Sequence, residues 1–196
     1  MASCGQVAMP SPDSDADLAR RAAGGDRSAL EVLLGRHADR VHAICRRVVG
    51  DPDDALDATQ EAMIAVVRGI TRFDGRSAFT TWLYRVATNA ALDELRRRRR
   101  RPTPAEPAAE AAGTDDLDHA VATRIDVDGA LAVVPEDFRV AVVLRDLCDL
   151  DYDAIATVLD IPPGTVRSRI ARGRAAFEAA LGNPAATGRR LRNDDV

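Results

Sequence analysis

Apolar residues along the first half of the chain recur at spacings of three and four. Leu30, Leu33, Leu34, His37, Val41, Ile44, Cys45 and Val48 mark one face of a long amphipathic helix. Gly50-Asp51-Pro52-Asp53 ends it and starts another, with proline near the first helical turn. The second helix is expected over about 53–70, burying Ala55, Ala58, Ala62, Val66 and either Ile64 or Ala65. Thr71 to Ser77 reads as a loop, and a further helix is expected from about Ala78 to Arg98.

The period then stops. From Pro102 the chain is proline, alanine, glutamate and glycine, a composition that cannot bury enough surface to offset chain entropy. Helical periodicity resumes near Leu117 and runs to about Leu181. No segment alternates apolar and polar residues between turn signals, so no strand is expected. The pattern predicts an all-α protein: a disordered terminus over 1–12, a helical domain over 13–101, a flexible linker over 102–119, a second helical domain over 120–182, and a loose tail over 183–196.

Charge sharpens that division. All 27 basic residues are arginine, and the net charge of −4 conceals a marked asymmetry. Arg96 to Arg101 are consecutive, whereas acids crowd Asp51–Asp57 and Asp146–Asp153. Such a chain touches nucleic acid at defined places and protein elsewhere, rather than coating DNA. The arginine-only, alanine-rich usage points to a GC-rich, actinobacterial source. The three cysteines form no CxxC pair and lack histidine at ligand spacing, so reduced thiols and no metal are expected. No apolar run approaches the ~20 residues a bilayer span needs, and Asp13, Asp15 and Asp17 stand where a signal peptide would be basic and then apolar. A cytoplasmic protein with no membrane insertion is expected.

Two segments carry chemistry. In Leu150–Ile170, Ile155, Val158 and Leu159 give a short helix its buried face, and Ala156 offers a close crossing point. Asp160 to Gly164 make a turn, and a helix beginning at Thr165 and Val166 carries Arg167, Arg169, Arg172 and Arg174. This is the shape of a helix-turn-helix, whose second helix enters the major groove. An αα-hairpin with a solvated arginine face is the plainer alternative. The other segment gathers Phe73, Phe79, Trp82 and Tyr84 within twelve residues, in a chain only 4% aromatic. Rings beside a basic helix suit single-stranded nucleic acid, because bases stack on them while guanidinium groups hold the backbone. Phe79 and Leu83 also fit as plain core at helical spacing, and Trp82 fits either role.

In that order, these residues resemble the extracytoplasmic-function group of bacterial RNA polymerase sigma factors, over about 13–101 and 120–181. Asp54-Ala-Leu-Asp57-Ala-Thr-Gln60-Glu61 looks like the polymerase-binding helix of that family, Phe73 to Asn89 like its promoter-melting segment, and Gly164-Thr-Val-Arg-Ser-Arg like the start of its upstream recognition helix. The resemblance implies that Asp54, Asp57, Gln60, Glu61 and Ile64 lie along one helix face and meet the clamp helices of the largest subunit of core RNA polymerase. The polymerase flap would be a second contact. The loop from Phe73 through Asp74 to Ser77, with Asn89, would hold a base flipped from the melted non-template strand of the minus-ten element. Trp82 would brace the upstream edge of the bubble, and Arg85, Arg96 and Arg97, with the rest of the run to Arg99, would follow duplex phosphates. Arg167, Ser168 and Arg172 would read the minus-thirty-five element, while Thr165 and Arg169 serve phosphates or packing. An anti-sigma protein that wedges between the two domains or clamps them together is implied as a further partner, and no cofactor is. Ala171, where relatives often carry a larger side chain, and Gly173, which interrupts the helix, depart from the pattern and put the exact promoter sequence in doubt.

Other classes fit less well. The histidines His37, His42 and His119 are scattered, no phosphate-cradling glycine loop exists, and no nucleophile with its base can be assembled, so an enzyme is not expected. A zinc-containing anti-sigma protein would carry H-x-x-x-C-x-x-C, which is absent. A stand-alone regulator of the LuxR type fits the helix-turn-helix equally well and is the main alternative. Cys148 fits either an oxidant sensor or a small buried residue.

Overall fold

The computed structural model describes residues 14–101 and 127–182. The expected disordered ends, the linker at 102–119 and the first residues of the second domain lie outside them. Among the described residues every regular element is helical. The helices are α1 (Asp15–Ala23), α2 (Arg27–Val49), α3 (Pro52–Gly69) and α4 (Phe79–Arg100), then α5 over residues 127–133, α6 (Glu136–Val142), α7 (Tyr152–Leu159) and α8 (Pro163–Leu181). None is long and apolar enough to cross a membrane.

Side-chain caps set most of the boundaries. Ser14, Asp26, Asp51 and Asp151 each accept a backbone N–H in the first turn of α1, α2, α3 and α7, at 2.7–3.2 Å. Such caps satisfy N–H groups that a helix start leaves without partners. At the corner between α2 and α3, Gly50 adopts φ +86°, which a side chain would resist, and its N–H donates to the Arg46 carbonyl. Pro52 occupies the first turn of α3, as its spacing predicts.

The first four helices form one bundle. Leu33, Val41, Ile44 and Val48 of α2 meet Phe79, Leu83, Ala87 and Ala91 of α4, and Ala55, Ala58, Ala62 and Val66 line the inner face of α3. Small residues at spacings of three and four let α3 approach its neighbours closely. Ile64 is only half-buried and Ala65 is exposed, so neither belongs to the inner face. Between α3 and α4 a short 3-10 turn, Ile70–Arg72, drops Ile70 into the core before the loop expected at 71–77.

The second unit packs α8 across α6 and α7. Its tightest approach is between α6 and α8. A Cβ added to Gly173 would lie 2.5 Å from Val142 Cγ2 and 2.9 Å from the Phe138 carbonyl oxygen. Gly173 is therefore the place where α6 and α8 touch backbone to backbone, which explains a glycine in mid-helix. Ala156 on α7 is half-buried, packs against the core and also borders an outer groove. Helix α8 also starts two residues before the expected Thr165, with Pro163 and Gly164 in its first turn. Between α6 and α7 a π-turn, Val143–Leu147, carries Leu144 into the core.

The two units pack on each other, α4 against α7 and α2 against α6 and the π-turn, and their buried side chains form one continuous apolar cluster. Polar contacts line the seam. Arg40 donates to the Leu147 carbonyl. Arg46 and Arg47 reach Asp128 at 3.6 and 4.0 Å, and Arg99 reaches Glu136 at 2.5 Å.

Candidate nucleic-acid interface

On α8, Val166, Ile170 and Gly173 point inward. With 3.6 residues per turn, the opposite face is centred on Ser168 and Ala171, flanked by Arg167 on one side and Arg172 on the other. All four are exposed, while Thr165 and Arg169 are half-buried at the margins. Each arginine is steadied by another element of its own unit. Arg167 stacks over the Tyr152 ring at 5.9 Å, Arg172 over Phe138 at 5.9 Å, Arg169 pairs with Asp137 at 3.1 Å, and Arg174 with Asp146. The Ser168 hydroxyl donates to the Thr165 carbonyl at 2.9 Å, which leaves its lone pairs facing outward. Sequence periodicity gives the face, but the partners come from residues 15–34 positions away and carry no local signal.

The aromatic residues of the first unit divide into two groups. Phe73, Phe79 and Trp82 form a cluster with centroids 5.6–5.9 Å apart, extended by His37 against Phe79 at 5.6 Å. Phe79 is core, whereas Phe73 and Trp82 are half-buried and reachable from outside. Gly69 makes room for the indole, since a Cβ there would lie 3.2 Å from Trp82 Cζ2. Tyr84 leaves the group: it is buried on the opposite side of α4, where burial first and then the Cys148 thiol push its pKa up. Next to the cluster, the Asp74 carboxylate accepts the Arg76 N–H at 3.1 Å, forming a tight turn with Asp74 and Ser77 exposed. His37 is held from α1 by Asp15 at 2.7 Å. Burial pushes the Asp15 carboxyl up, but its hydrogen bonds to Arg36 and His37 outweigh that and hold it below 3.8.

Asn89 lies two turns after Trp82 on the same stripe of α4. It lines a groove of about 500 Å³ between α3 and α4 with Glu61, Ala65, Val86, Ala90, Asp93 and Arg97. Residues expected to meet polymerase and residues expected to meet DNA thus border one groove. Arg85 is exposed nearby.

The arginine run is less open than its sequence suggests. Arg96 pairs with Asp93 at 2.6 Å, Arg97 with Glu94, Arg98 with Asp54 at 3.7 Å, and Arg101 with both Asp54 at 3.0 Å and Glu94 at 3.4 Å. Glu94 is fully buried, and sequence reasoning passed over it because one acid before six arginines looks like surface. On α3, Asp57, Gln60 and Glu61 are exposed and Ile64 is half-buried, so these four share an open face. Asp54 does not join them. Its side chain is 12% exposed and turned to the end of α4. Leu56 and Val67, 58% and 48% exposed, belong to the open face instead and were not singled out, because their spacing resembles the core stripe.

Comparison with known proteins matches the same two units. The family description sigma-70 region 2 matches residues 33–101, and sigma-70, region 4 matches residues 124–177. The RNA polymerase sigma-H factor of Pseudomonas aeruginosa is 37% identical over 186 residues, covering 88% of this chain and 96% of that protein. The ECF RNA polymerase sigma factor SigM of Mycobacterium tuberculosis is 37% identical over 169 residues, covering 86% and 85%. Among solved structures, CnrH in complex with the cytosolic domain of CnrY is similar at a TM-score of 0.67 and 25% identity, covering 87% of this chain and 98% of that one. The sigma factor RpoE of Bartonella quintana, in complex with the anti-sigma factor NepR, shares the fold at a TM-score of 0.63 and 21% identity, covering 78% and 96%.

Proposed function

This chain belongs to the extracytoplasmic-function group of RNA polymerase sigma factors, and on that premise we propose how its residues divide the work of promoter selection. It is an alternative sigma factor, built from a region 2 unit and a region 4 unit. We place the units at 13–101 and 120–182, with 102–119 between them.

On α3, Asp57, Gln60, Glu61 and Ile64, joined by exposed Leu56 and Val67, form the surface for the clamp helices of the polymerase largest subunit. Asp54 acts from behind, fixing Arg98 and Arg101 at the end of α4. The mixed acidic and apolar face suits a protein partner, since exposed large apolar side chains beside charge mark such sites. The flap is the second polymerase contact and falls to region 4.

On α4, Phe73 and Trp82 offer ring faces at the edge of the melted strand, worth roughly 1–3 kcal/mol per stacked base. Asp74, Ser77 and Asn89 supply hydrogen-bonding groups for a base flipped from the non-template strand, a step that costs a few kcal/mol. Arg85, Arg96 and Arg97 hold backbone phosphates next to it. On α8, Arg167 and Arg172 reach into the major groove from either side of a shallow centre at Ser168 and Ala171. An arginine fork on guanine gives about 1–3 kcal/mol of discrimination. Thr165 contacts phosphate, and Arg169, held by Asp137, serves packing.

The reading assigns the chain no bond-making chemistry of its own, and it works in the cytoplasm with polymerase. An anti-sigma protein is its expected regulator; the sigma factor of Bartonella quintana that shares its fold was solved with one. The arginine-only composition remains the basis for an actinobacterial source.

The observation that carries this reading is the region 2 match on the very residues that hold the open α3 face and the aromatic cluster, because a stand-alone helix-turn-helix regulator needs neither. Run-off transcription with purified protein, core polymerase and fragmented genomic DNA tests it. Discrete new starts that disappear with Trp82→Ala plus Asn89→Ala support the assignment. Absence of starts, together with tight duplex binding by the protein alone, returns the regulator.

A further inference from the structure

The four arginines of α8 are held in two chemically different ways. Arg169 gives an N–H to Asp137 at 3.1 Å, and Arg174 gives two to the carboxylate of Asp146. Among the described residues, Arg167 and Arg172 share no N–H with a carboxylate. They rest instead on aromatic rings, Arg167 on Tyr152 of α7 and Arg172 on Phe138 of α6, each 5.9 Å from the ring centroid. The difference matters because a guanidinium carries its five donors in its own plane. A carboxylate takes donors from that edge. A ring attracts the cation through its π-cloud and accepts no ordinary hydrogen bond, so the donors stay open.

Both rings are themselves fixed. Tyr152 begins α7 directly after the Asp151 cap, so backbone hydrogen bonds set its place. Arg145 of the π-turn stands 5.7 Å from the same ring centroid and donates to the Leu150 carbonyl at 2.7 Å. Phe138 is half-buried where α6 meets Gly173, one residue beyond Arg172. Neither ring has a role in the division of work above.

We propose, resting on the sigma reading, that Tyr152 and Phe138 are positioning residues that set base preference in the minus-thirty-five element without touching DNA. Each ring aims one guanidinium and leaves its fork open for a guanine edge. Discrimination is a difference between the affinities for right and wrong bases. An arginine held in place meets a wrong base with its donors unpaired, whereas a loose one swings to a phosphate and loses little. Arg167 and Arg172 point about 140° apart around the helix, so the rings assign them to different base pairs. Ordering such a side chain in advance is worth about two- to tenfold in affinity. Loss of one ring therefore costs about that factor at one base pair. Arg169 and Arg174, with donors spent on carboxylates, add no preference of this kind.

The test measures binding of the full-length chain, assembled with core polymerase, to promoters substituted at each base pair of the minus-thirty-five element. Arg167→Ala and Arg172→Ala first assign a base pair to each arginine. Tyr152→Leu keeps an apolar side chain without a π-face; it should lower preference at the Arg167 pair about two- to tenfold and leave the Arg172 pair unchanged. Phe138→Leu should do the converse. Tyr152→Phe keeps the ring and should keep wild-type preference. None of these ring changes alters charge, so the salt slope of binding should hold. In the Arg167→Ala background, Tyr152→Leu should change nothing further, a result that loss of fold cannot imitate. Full preference in both leucine variants, or an equal fall at every base pair, overturns the proposal. If the arginine variants themselves lose no preference, the base-reading role of α8 fails first and takes the proposal with it.

Discussion

Helices α4 and α8 both carry several arginines, and they use them in different ways. On α8 the arginines are spaced at 167, 169, 172 and 174, so they leave the helix in three directions, with Arg167 and Arg174 two turns apart on one stripe, and each meets one partner in its own unit: Tyr152, Asp137, Phe138 or Asp146. On α4 they are consecutive, and successive residues point about 100° apart around the helix. The run therefore fans out toward four destinations: Asp93 on the surface, Glu94 in the core, Asp54 on α3 and Glu136 across the seam. Spacing suits the reading head proposed for α8, and contiguity makes a hub that holds elements together.

Arg167→Ala with Arg172→Ala should remove roughly 1–3 kcal/mol of base discrimination per arginine, so that the protein no longer distinguishes single substitutions in the minus-thirty-five element. Arg96→Ala with Arg97→Ala should weaken all promoters alike and flatten the salt dependence of binding. Competition binding across a substituted promoter panel at two salt concentrations separates the two patterns. Equal loss of specificity from both pairs would end the distinction between head and hub.

The next effect is on the platform beneath the reading head. Gly173→Ala gains about 1 kcal/mol of helix propensity but forces a methyl onto Val142 and the Phe138 carbonyl. Overpacking costs about 1–3 kcal/mol, and a backbone carbonyl cannot swing aside, so net destabilisation is expected by chemical denaturation. The exposed neighbour gives the control, since Ala171→Gly should cost only about 1 kcal/mol, from propensity. The hub has its own keystone. Glu94→Gln should destabilise region 2 by about 1–2 kcal/mol, because it weakens a charge-assisted bond to half-exposed arginines that water can partly replace.

The smallest effect tests the support behind the aromatic cluster. Asp15 is held below its ordinary 3.8, so its contribution is fully present above that value and fades as pH falls below it. Asp15→Asn should cost no more than about 1 kcal/mol at pH 7, and the gap between the two proteins should close in acid denaturation below pH 4.

These predictions lean unequally on what the sequence discloses. Helix α2 was legible because Leu33, Val41, Ile44 and Val48 repeat at the helical period, and α3 because its alanines do. The reading face of α8 follows from the same arithmetic. What the pattern misses is identity across elements. Periodicity says that Val166 is inside without saying that α6 meets α8 at Gly173, where the sequence shows only an interrupted helix. The family resemblance groups Asp54 with Asp57, whereas two arginines 44 and 47 residues downstream turn Asp54 away. Tyr84 was grouped with Trp82 by proximity in sequence, although two residues on a helix point some 200° apart. The seam was invisible for the same reason, since Asp128 and Arg46 have no pattern in common.

Every basic member of that seam is an arginine, and the chain contains no lysine at all. A guanidinium stays charged at any physiological pH and is not a target for acetylation. The positive side of the contact is thus permanent. Lysine acylation, which removes the charge of a basic surface, has no purchase on it. Its strength can be adjusted only from outside, by ions and polyanions, or from the opposite side, by whatever happens to two carboxylates.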